Sequence, residues 1–235
     1  GEMILDKLRK YPNIDLSLVE QREKVSTPFT RAIVTPDGER SFLIFGYPQT
    51  PKVSLNQAGL DGAKFLALDL YGGAERLEVA KLAYEAGLST AIGDVVWPEH
   101  AALKFTSIAT NSGPYIRQHF PSVDVRQHAR RLQSISGGII VTTDGPNPVH
   151  ALDAQGNGFI IQPPRVAAVD ATGAGDAFRA GLLYGLNRGL DLPGSLRWAV
   201  AAGALKVQSL GAATTLPSFH EIEALANSLQ AVPEN

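Results

Sequence analysis

Short apolar runs alternate with segments of helical periodicity along most of the chain after residue 64. The runs occupy residues 65–70, 88–93, 106–110 and 138–143. The last of them is rich in β-branched side chains, which is typical of a buried parallel strand. The helical segments occupy residues 74–87, 113–119, 124–135 and 195–208. This alternation predicts an α/β fold, in which helices sandwich a mostly parallel central sheet that binds ligands at the carboxyl ends of its strands.

The first part of the chain follows a different pattern. Apolar residues on one side of residues 1–8 predict a first helix. Two β-rich runs follow, joined through Asp37-Gly38, at residues 25–36 and 40–47. Asp-Gly between such runs is a strong hairpin signal. The predicted division of the chain is therefore a hairpin segment at 25–48 and a core formed by residues 1–24 and 49–235.

Composition narrows the class of protein. Hydrophobic residues make up 44% of the chain and charged residues 19%, as in globular domains. The net charge of −2 excludes a broad electrostatic affinity for nucleic acid or for an anionic membrane. The chain has no cysteine, so disulfides and thiolate metal sites are excluded. No apolar run approaches membrane-spanning length and the start lacks a signal pattern, so we expect a cytoplasmic enzyme.

The segment Asp170–Asp176, Asp-Ala-Thr-Gly-Ala-Gly-Asp, carries the clearest chemical signal, since an apolar helix pattern follows it directly. Its glycines let the backbone approach a ligand closely, and the first N–H groups of a helix are unpaired and partially positive. Such a helix start suits a phosphate. We therefore expect the N–H groups of Gly173, Ala174 and Gly175 to form an anion hole. Asp176 is then the candidate base for an incoming hydroxyl, in a phosphoryl transfer.

Other interpretations of this segment can be compared with the sequence. A dinucleotide-binding fingerprint starting at Gly173 would need glycine at position 178, where Phe178 stands. A P-loop needs Gly-Lys followed by Ser or Thr, and the chain contains no Gly-Lys pair. The alternative that stays open is an ordinary strand-to-helix turn in which Asp176 is the helix N-cap.

Asp170–Asp176 resembles the second signature of the ribokinase-type (PfkB) sugar kinases, Asp-Thr-x-Gly-Ala-Gly-Asp, with Ala171 in place of threonine. The resemblance continues through Ala177-Phe178 and Gly181-Leu182-Leu183. It implies a ribokinase-like fold and transfer of the γ-phosphoryl group of MgATP to a sugar hydroxyl. It also implies that the hairpin at 25–48 is part of a small β lid over the sugar. A nucleoside or other small-alcohol kinase, and a catalytically weak sugar- or nucleotide-binding regulator, stay open as alternatives.

In the proteins that the chain resembles, a βαβ portion with a Gly-Gly signature and a sugar-contacting aspartate precedes the first helix. The double glycines of this chain, Gly72-Gly73 and Gly137-Gly138, each lie beside a core strand and do not match that signature. We therefore expect the N-terminal portion to be missing from this sequence. Lids in the family sometimes pair across a dimer, so a homodimer formed through the hairpin is a further expectation.

The resemblance also implies a nucleotide site. Thr143-Asp144-Gly145 resembles the family's Thr-x-Gly, with Pro148 where a further glycine is frequent. A generic turn at a strand end is the alternative. Val200 and Gly203, on the predicted helix at 195–208, match the wall beside the adenine, and close helix packing is the alternative there.

A monovalent cation such as K+ is implied as well. Asp170 and Thr172 match positions that bind this cation in many relatives, and Gly211 and Thr215 match the second half of the site. A bound cation would order the anion hole. Asp170 acting as a turn cap is the alternative.

Magnesium is expected to accompany ATP, because it bridges the phosphate oxygens. Relatives commonly carry Asn-x-x-Glu at a strand end, whereas here Asn111 is followed three residues later by Pro114. Asp94, at the end of the predicted strand at 88–93, is the candidate substitute for the missing carboxylate, and helix capping by Asp94 is the alternative.

Overall fold

The computed structural model describes residues 1–34, 40–46, 57–70 and 73–234. The chain divides into two compact units, Gly1–Gly59 and Leu60–Asn235. The Asp37-Gly38 turn lies outside the described residues.

Within its described residues, the first unit contains one α-helix and a pair of antiparallel strands. Helix α1 spans Glu2–Leu8. Strands β1 (Phe29–Val34) and β2 (Arg40–Phe45) pair antiparallel, with Phe29 opposite Phe45. These two phenyl rings stack with their centroids 4.8 Å apart. Both faces of this two-stranded sheet carry half-exposed apolar side chains, those of Phe29, Ile33, Phe42, Leu43, Ile44 and Phe45.

The second unit contains a seven-stranded sheet and six α-helices within the described residues. Its elements are β3 (Phe65–Asp69), α2 (Ala74–Glu85), β4 (Ser89–Gly93), β5 (Ile108–Ser112), α3 (Gly113–His119), α4 (Val125–Ser136), β6 (Ile139–Asp144), β7 (Asn147–Leu152), β8 (Gly158–Ile161), α5 (Ala174–Asn187), α6 (Leu192–Lys206), α7 (Phe219–Ser228) and β9 (Ala231–Pro233). The strands follow one another across the sheet in chain order. Strands β3 to β6 pair in parallel, and β6 to β9 pair antiparallel. The predicted α/β fold is confirmed, and the antiparallel extension adds to it.

The two faces of this sheet are covered by different helices, because successive strand residues point to opposite sides. Ile108 and Val141 face a core that includes Phe178 and Leu182 of α5. The neighbouring positions, such as Ile140, face a second core formed with α2 and α4. The helices therefore hold the carboxyl ends of the parallel strands in fixed positions.

Helices α5 and α6 approach each other closely through glycine. A Cβ atom added at Gly181 would lie 2.5 Å from the Trp198 carbonyl oxygen, and one added at Gly185 would lie 2.7 Å from the Ser195 Cα. Both glycines are buried. Their missing side chains are therefore what allows the two backbones to touch.

The last strand is joined to the sheet by side chains as well as by its backbone. The Glu234 carboxylate is only 11% exposed, and its Oε1 lies 2.8 Å from His150 Nδ1 and 3.1 Å from Arg126 Nη1. These contacts link the residue after β9 to β7 and α4. Among the described residues, no helix combines the length and the apolar character needed to span a bilayer.

Candidate active site

Asp170 joins two loops that are distant in the sequence. Its Oδ1 accepts hydrogen bonds from the Thr172 N–H at 2.8 Å and from the Thr172 hydroxyl at 2.6 Å. Its Oδ2 accepts one from the Gly211 N–H at 2.8 Å. The Asp170 N–H in turn donates to the Val207 carbonyl at 3.0 Å. The loop before α5 and the loop after α6 are therefore held together by one carboxylate.

Gly173 is the N-cap of α5 and adopts a left-handed conformation, with φ +81°. A Cβ atom here would also lie 2.6 Å from the Ala212 carbonyl oxygen. Both the conformation and the close approach require glycine. This turn aims the start of α5 at the carboxyl edge of the sheet.

Of the three predicted anion-hole donors, Ala174 is already paired, because its N–H donates to the Ala171 carbonyl at 3.1 Å and closes the turn. Within residues 73–234, we find no acceptor for the N–H groups of Gly173 and Gly175. The space beside the Gly175 Cα is open, since an added Cβ atom would meet nothing within 4 Å. The anion hole stays a prediction, and Gly173 and Gly175 are its available donors.

Asp176 is the third residue of α5 and not its N-cap, since Gly173 occupies that position. Its side chain is 80% exposed, and its Oδ1 lies 3.3 Å from Arg179 Nη2. The carboxylate lines a groove of about 520 Å³ between α5 and strands β3, β4 and β5. Arg179, Asp69 and Thr110 supply the other polar walls of the groove, and alanine and leucine side chains supply most of the rest.

The predicted nucleotide residues lie at the end of β6. The Thr143 hydroxyl donates to the Asn111 carbonyl at 3.4 Å, and Gly145 turns with φ +58°. Between them, Asp144 accepts two hydrogen bonds from Arg117 of α3, at 2.6 and 3.3 Å. This carboxylate raises the pKa of Arg117. No local sequence pattern predicted this link between α3 and β6.

The two predicted adenine-wall residues on α6 serve helix packing in the structure. Val200 is buried in the core shared with α5. A Cβ atom at Gly203 would lie 3.4 Å from the Ala174 carbonyl oxygen and 3.5 Å from the Phe178 Cβ. Contact with a nucleotide stays a prediction for both residues.

The predicted magnesium region contains two buried polar side chains without partners. Asn111 is 2% exposed, and neither its Oδ1 nor its Nδ2 has a hydrogen-bond partner. Thr142, opposite Asn111 in the strand register, has a buried hydroxyl with no partner. Because such atoms are usually satisfied, this pair is the part of the strand edge most suited to a bound water or ligand. Thr142 was not among the residues predicted from the sequence.

Pro114 and Asp94 complete this region. Ser112 caps α3, and Pro114 follows in its first turn, where no backbone N–H is needed. Gly93 of β4 and Thr110 of β5 are partners in the strand register. Asp94 is the residue after Gly93, and Asn111 is the residue after Thr110. Burial, and to a smaller extent the charge of Asp94, raise the pKa of Tyr115 on α3. Within the described residues, no group of three or more acidic or histidine side chains is arranged to hold a metal by itself.

The predicted cation residues are only partly brought together. Asp170, Thr172 and Gly211 are in direct contact. Thr215 is exposed, and its carbonyl accepts from the Ser209 hydroxyl at 3.1 Å. The Ser209 carbonyl also accepts from the Lys206 ammonium, which is fully buried. A monovalent cation stays a prediction, since protein donors already engage both Asp170 oxygens.

We expect Asp170→Asn to lower the free energy of unfolding by about 2 kcal/mol, because the new amide would face the Gly211 N–H and leave two donors opposed. The carbonyl oxygen of asparagine can still accept from Thr172. Chemical denaturation followed by circular dichroism would measure the change. Asp191→Asn is the matched control, since Asp191 caps α6 through one bond to the Gly194 N–H and asparagine caps as well. Equal losses in both variants would contradict the role given to Asp170.

Comparison with known proteins identifies the family of the chain and its fold. Residues 1–219 match the family described as pfkB family carbohydrate kinase. The ribokinase of Schizosaccharomyces pombe is 24% identical over 97% of this chain and 76% of its own length.

Two solved structures share the fold. A putative ribokinase from Agrobacterium tumefaciens superposes with a TM-score of 0.83 at 21% identity, over 97% of this chain and 76% of that one. A putative ribokinase II from E. coli, in complex with ATP and Mg2+, superposes with a TM-score of 0.71 at 18% identity, over 85% of this chain and 71% of that one. Because the family match covers most of the sequence, the chain belongs to the pfkB family of carbohydrate kinases and is a phosphotransferase of the kinase type.

Proposed function

We propose that this protein transfers the γ-phosphoryl group of ATP to a hydroxyl group of a sugar, with Asp176 as the base. The observation that supports this most directly is the position of Asp176. Its carboxylate is exposed to a groove and follows Gly175, whose N–H has no acceptor within residues 73–234 and which lies in the first turn of α5. A base and an anion-binding backbone are thus adjacent.

The chemistry follows from this adjacency. Phosphoryl transfer has a loose transition state, so the enzyme must mainly align the reactants and neutralise charge. Asp176 accepts a hydrogen bond from the acceptor hydroxyl and then its proton, and it thereby orients the attacking oxygen. The N–H groups of Gly173 and Gly175 stabilise the charge on the transferred group.

ATP, Mg2+ and K+ belong to the same proposal. In this proposal Thr143 and Gly145, at the end of β6, bind the nucleotide. The Asn111 amide oxygen, buried and without a partner, fits the oxygen ligands or the bound water that Mg2+ prefers, with Asp94 on the neighbouring strand. The metal would neutralise phosphate charge there. K+ would bind beside Asp170 and the carbonyl groups of the loop after α6.

The proposal is tested by incubating the purified complete gene product with γ-labelled ATP and a panel of pentoses, hexoses and nucleosides. We expect label in a sugar phosphate. Label in a nucleoside instead would assign the acceptor to the alternative class within the same fold. ATP binding without transfer to any acceptor would favour the regulatory alternative, to which Pro114 in place of glutamate gives its support.

We also propose that the hairpin pairs with that of a second copy of the chain. The half-exposed apolar side chains on both faces of β1 and β2 support this, since a two-stranded sheet is rarely stable alone. Sedimentation velocity of the purified protein is expected to show a dimer. A monomer over the whole accessible concentration range would contradict the proposal.

A further inference from the structure

Arg179 occupies an unusual position beside the proposed base. It lies one helical turn after Gly175 and Asp176 on α5, and its side chain is 30% exposed, against 80% for Asp176. Its Nη2 lies 3.3 Å from Asp176 Oδ1, and its Nε points to the Gly175 carbonyl at 3.5 Å. One guanidinium group therefore contacts the carboxylate and the peptide that precedes it.

The opposite side of the guanidinium lies against a strand. A Cβ atom added at Gly93, the last residue of β4, would collide with Arg179 Nη1 and lie 2.7 Å from its Cζ. Gly93 is buried and is not among the glycines with positive φ. A side chain at position 93 would therefore displace the guanidinium group, which is the far end of a flexible side chain, without straining the backbone.

This packing separates the Arg179–Asp176 pair from an ordinary pair on a helix surface. Exposed pairs three residues apart contribute little to stability, partly because two long side chains must be ordered. Here the strand backbone limits the space open to the arginine, so it can hold the exposed carboxylate at a defined place. The contact therefore acts mainly by fixing the position of the Asp176 carboxylate, and it contributes little to the free energy of unfolding.

We propose, on the basis of the kinase function proposed above, that Arg179 is a positioning residue for Asp176. Arg179 lies beside the end of β4 and holds Oδ1 of Asp176, so Oδ2 is the oxygen that accepts the hydrogen bond from the acceptor hydroxyl. Gly93 is part of the same arrangement, because its lack of a side chain leaves room for the guanidinium group beside the end of β4. Catalysis is sensitive to such placement, since a displacement of about 1 Å can cost as much as a hundredfold in rate.

Two independent variants test this inference. Arg179→Ala is expected to lower kcat by about tenfold with the KM for ATP unchanged, because it frees the base without touching the nucleotide side. Gly93→Ala should lower kcat similarly, since it displaces the guanidinium but keeps both Arg179 and Asp176. The double variant should be no slower than Arg179→Ala alone. Added guanidinium ion should restore part of the rate of Arg179→Ala, and Arg179→Lys should retain part of it.

Arg188→Ala is the matched control, since Arg188 is exposed at the far end of the same helix. The inference is overturned if Arg179→Ala and Gly93→Ala keep the wild-type kcat. It is also overturned if the two losses multiply in the double variant, or if the loss follows unfolding measured by circular dichroism. A wild-type protein without transfer to any acceptor would instead contradict the proposed function.

Discussion

Replacing Asp176 by asparagine is expected to lower turnover by about a thousandfold while leaving ATP binding intact, because it removes the proton acceptor and little else. Asparagine has nearly the same shape, and the side chain is exposed, so α5 should keep its structure. The carboxamide can still contact an acceptor hydroxyl but cannot take its proton. Steady-state kinetics would measure kcat, and isothermal titration calorimetry would measure the affinity for ATP.

The control for this variant is again Asp191→Asn, which makes the same chemical change at the start of α6. Its turnover should equal that of the wild type. Near-normal turnover of Asp176→Asn would remove Asp176 from the role of base. Loss of ATP binding together with turnover would place Asp176 in nucleotide binding instead.

Replacing Gly181 by alanine is expected to lower the free energy of unfolding by about 2 to 3 kcal/mol, although alanine favours helix more than glycine does. The added methyl group would meet the backbone of Trp198 and Ala199, at 2.5 to 2.9 Å. Backbone cannot move aside as a flexible side chain can, so α5 and α6 must separate. Because the two helices cover one face of the sheet, the effect should reach the start of α5. Denaturation followed by tryptophan fluorescence would report it through Trp198.

Gly203→Ala supplies the matched comparison on the facing helix. An added methyl group there would make ordinary contacts, the nearest at 3.4 Å. We expect its stability to stay at or slightly above that of the wild type, since helix propensity improves. A Gly181→Ala protein as stable as Gly203→Ala would show that the interface between the helices is looser than described.

The sequence predicted the parts of the site that depend on local patterns. Asp170–Asp176 is contiguous, and its glycines, its turn and the helix that follows it can be recognised from residue order alone. The strand-end positions of Asp94, Asn111 and Thr143 were likewise accessible, because the predicted strands end at these residues or just before them.

Contacts between distant segments were not predictable in the same way. The pairing of Arg179 with Gly93 depends on how far α5 is shifted along β4, which no local pattern encodes. The hydrogen bond from the Gly211 N–H to the Asp170 carboxylate was not predictable either. The sequence indicated that the two positions are related but not which atoms would meet. The unpartnered Thr142 hydroxyl could be found only after the register of β5 and β6 was known.

The antiparallel half of the sheet was missed for a physical reason. Strand β7 contains Pro148, which cannot donate to a ladder, and β9 is a three-residue strand that ends in proline. Short strands interrupted by proline resemble loops when the sequence alone is considered. Only the pairing with β8 identifies both of them as strands.

The contacts of Glu234 have a practical consequence for anyone who fuses tags to this chain. His150 and Arg126 converge on that carboxylate, and β9 just before it supplies the outermost strand. A protease site or fluorescent reporter attached directly after residue 234 would crowd this junction. Fusion partners are better attached through a long flexible spacer, and trimming back to residue 230 would remove the strand and its anchor together.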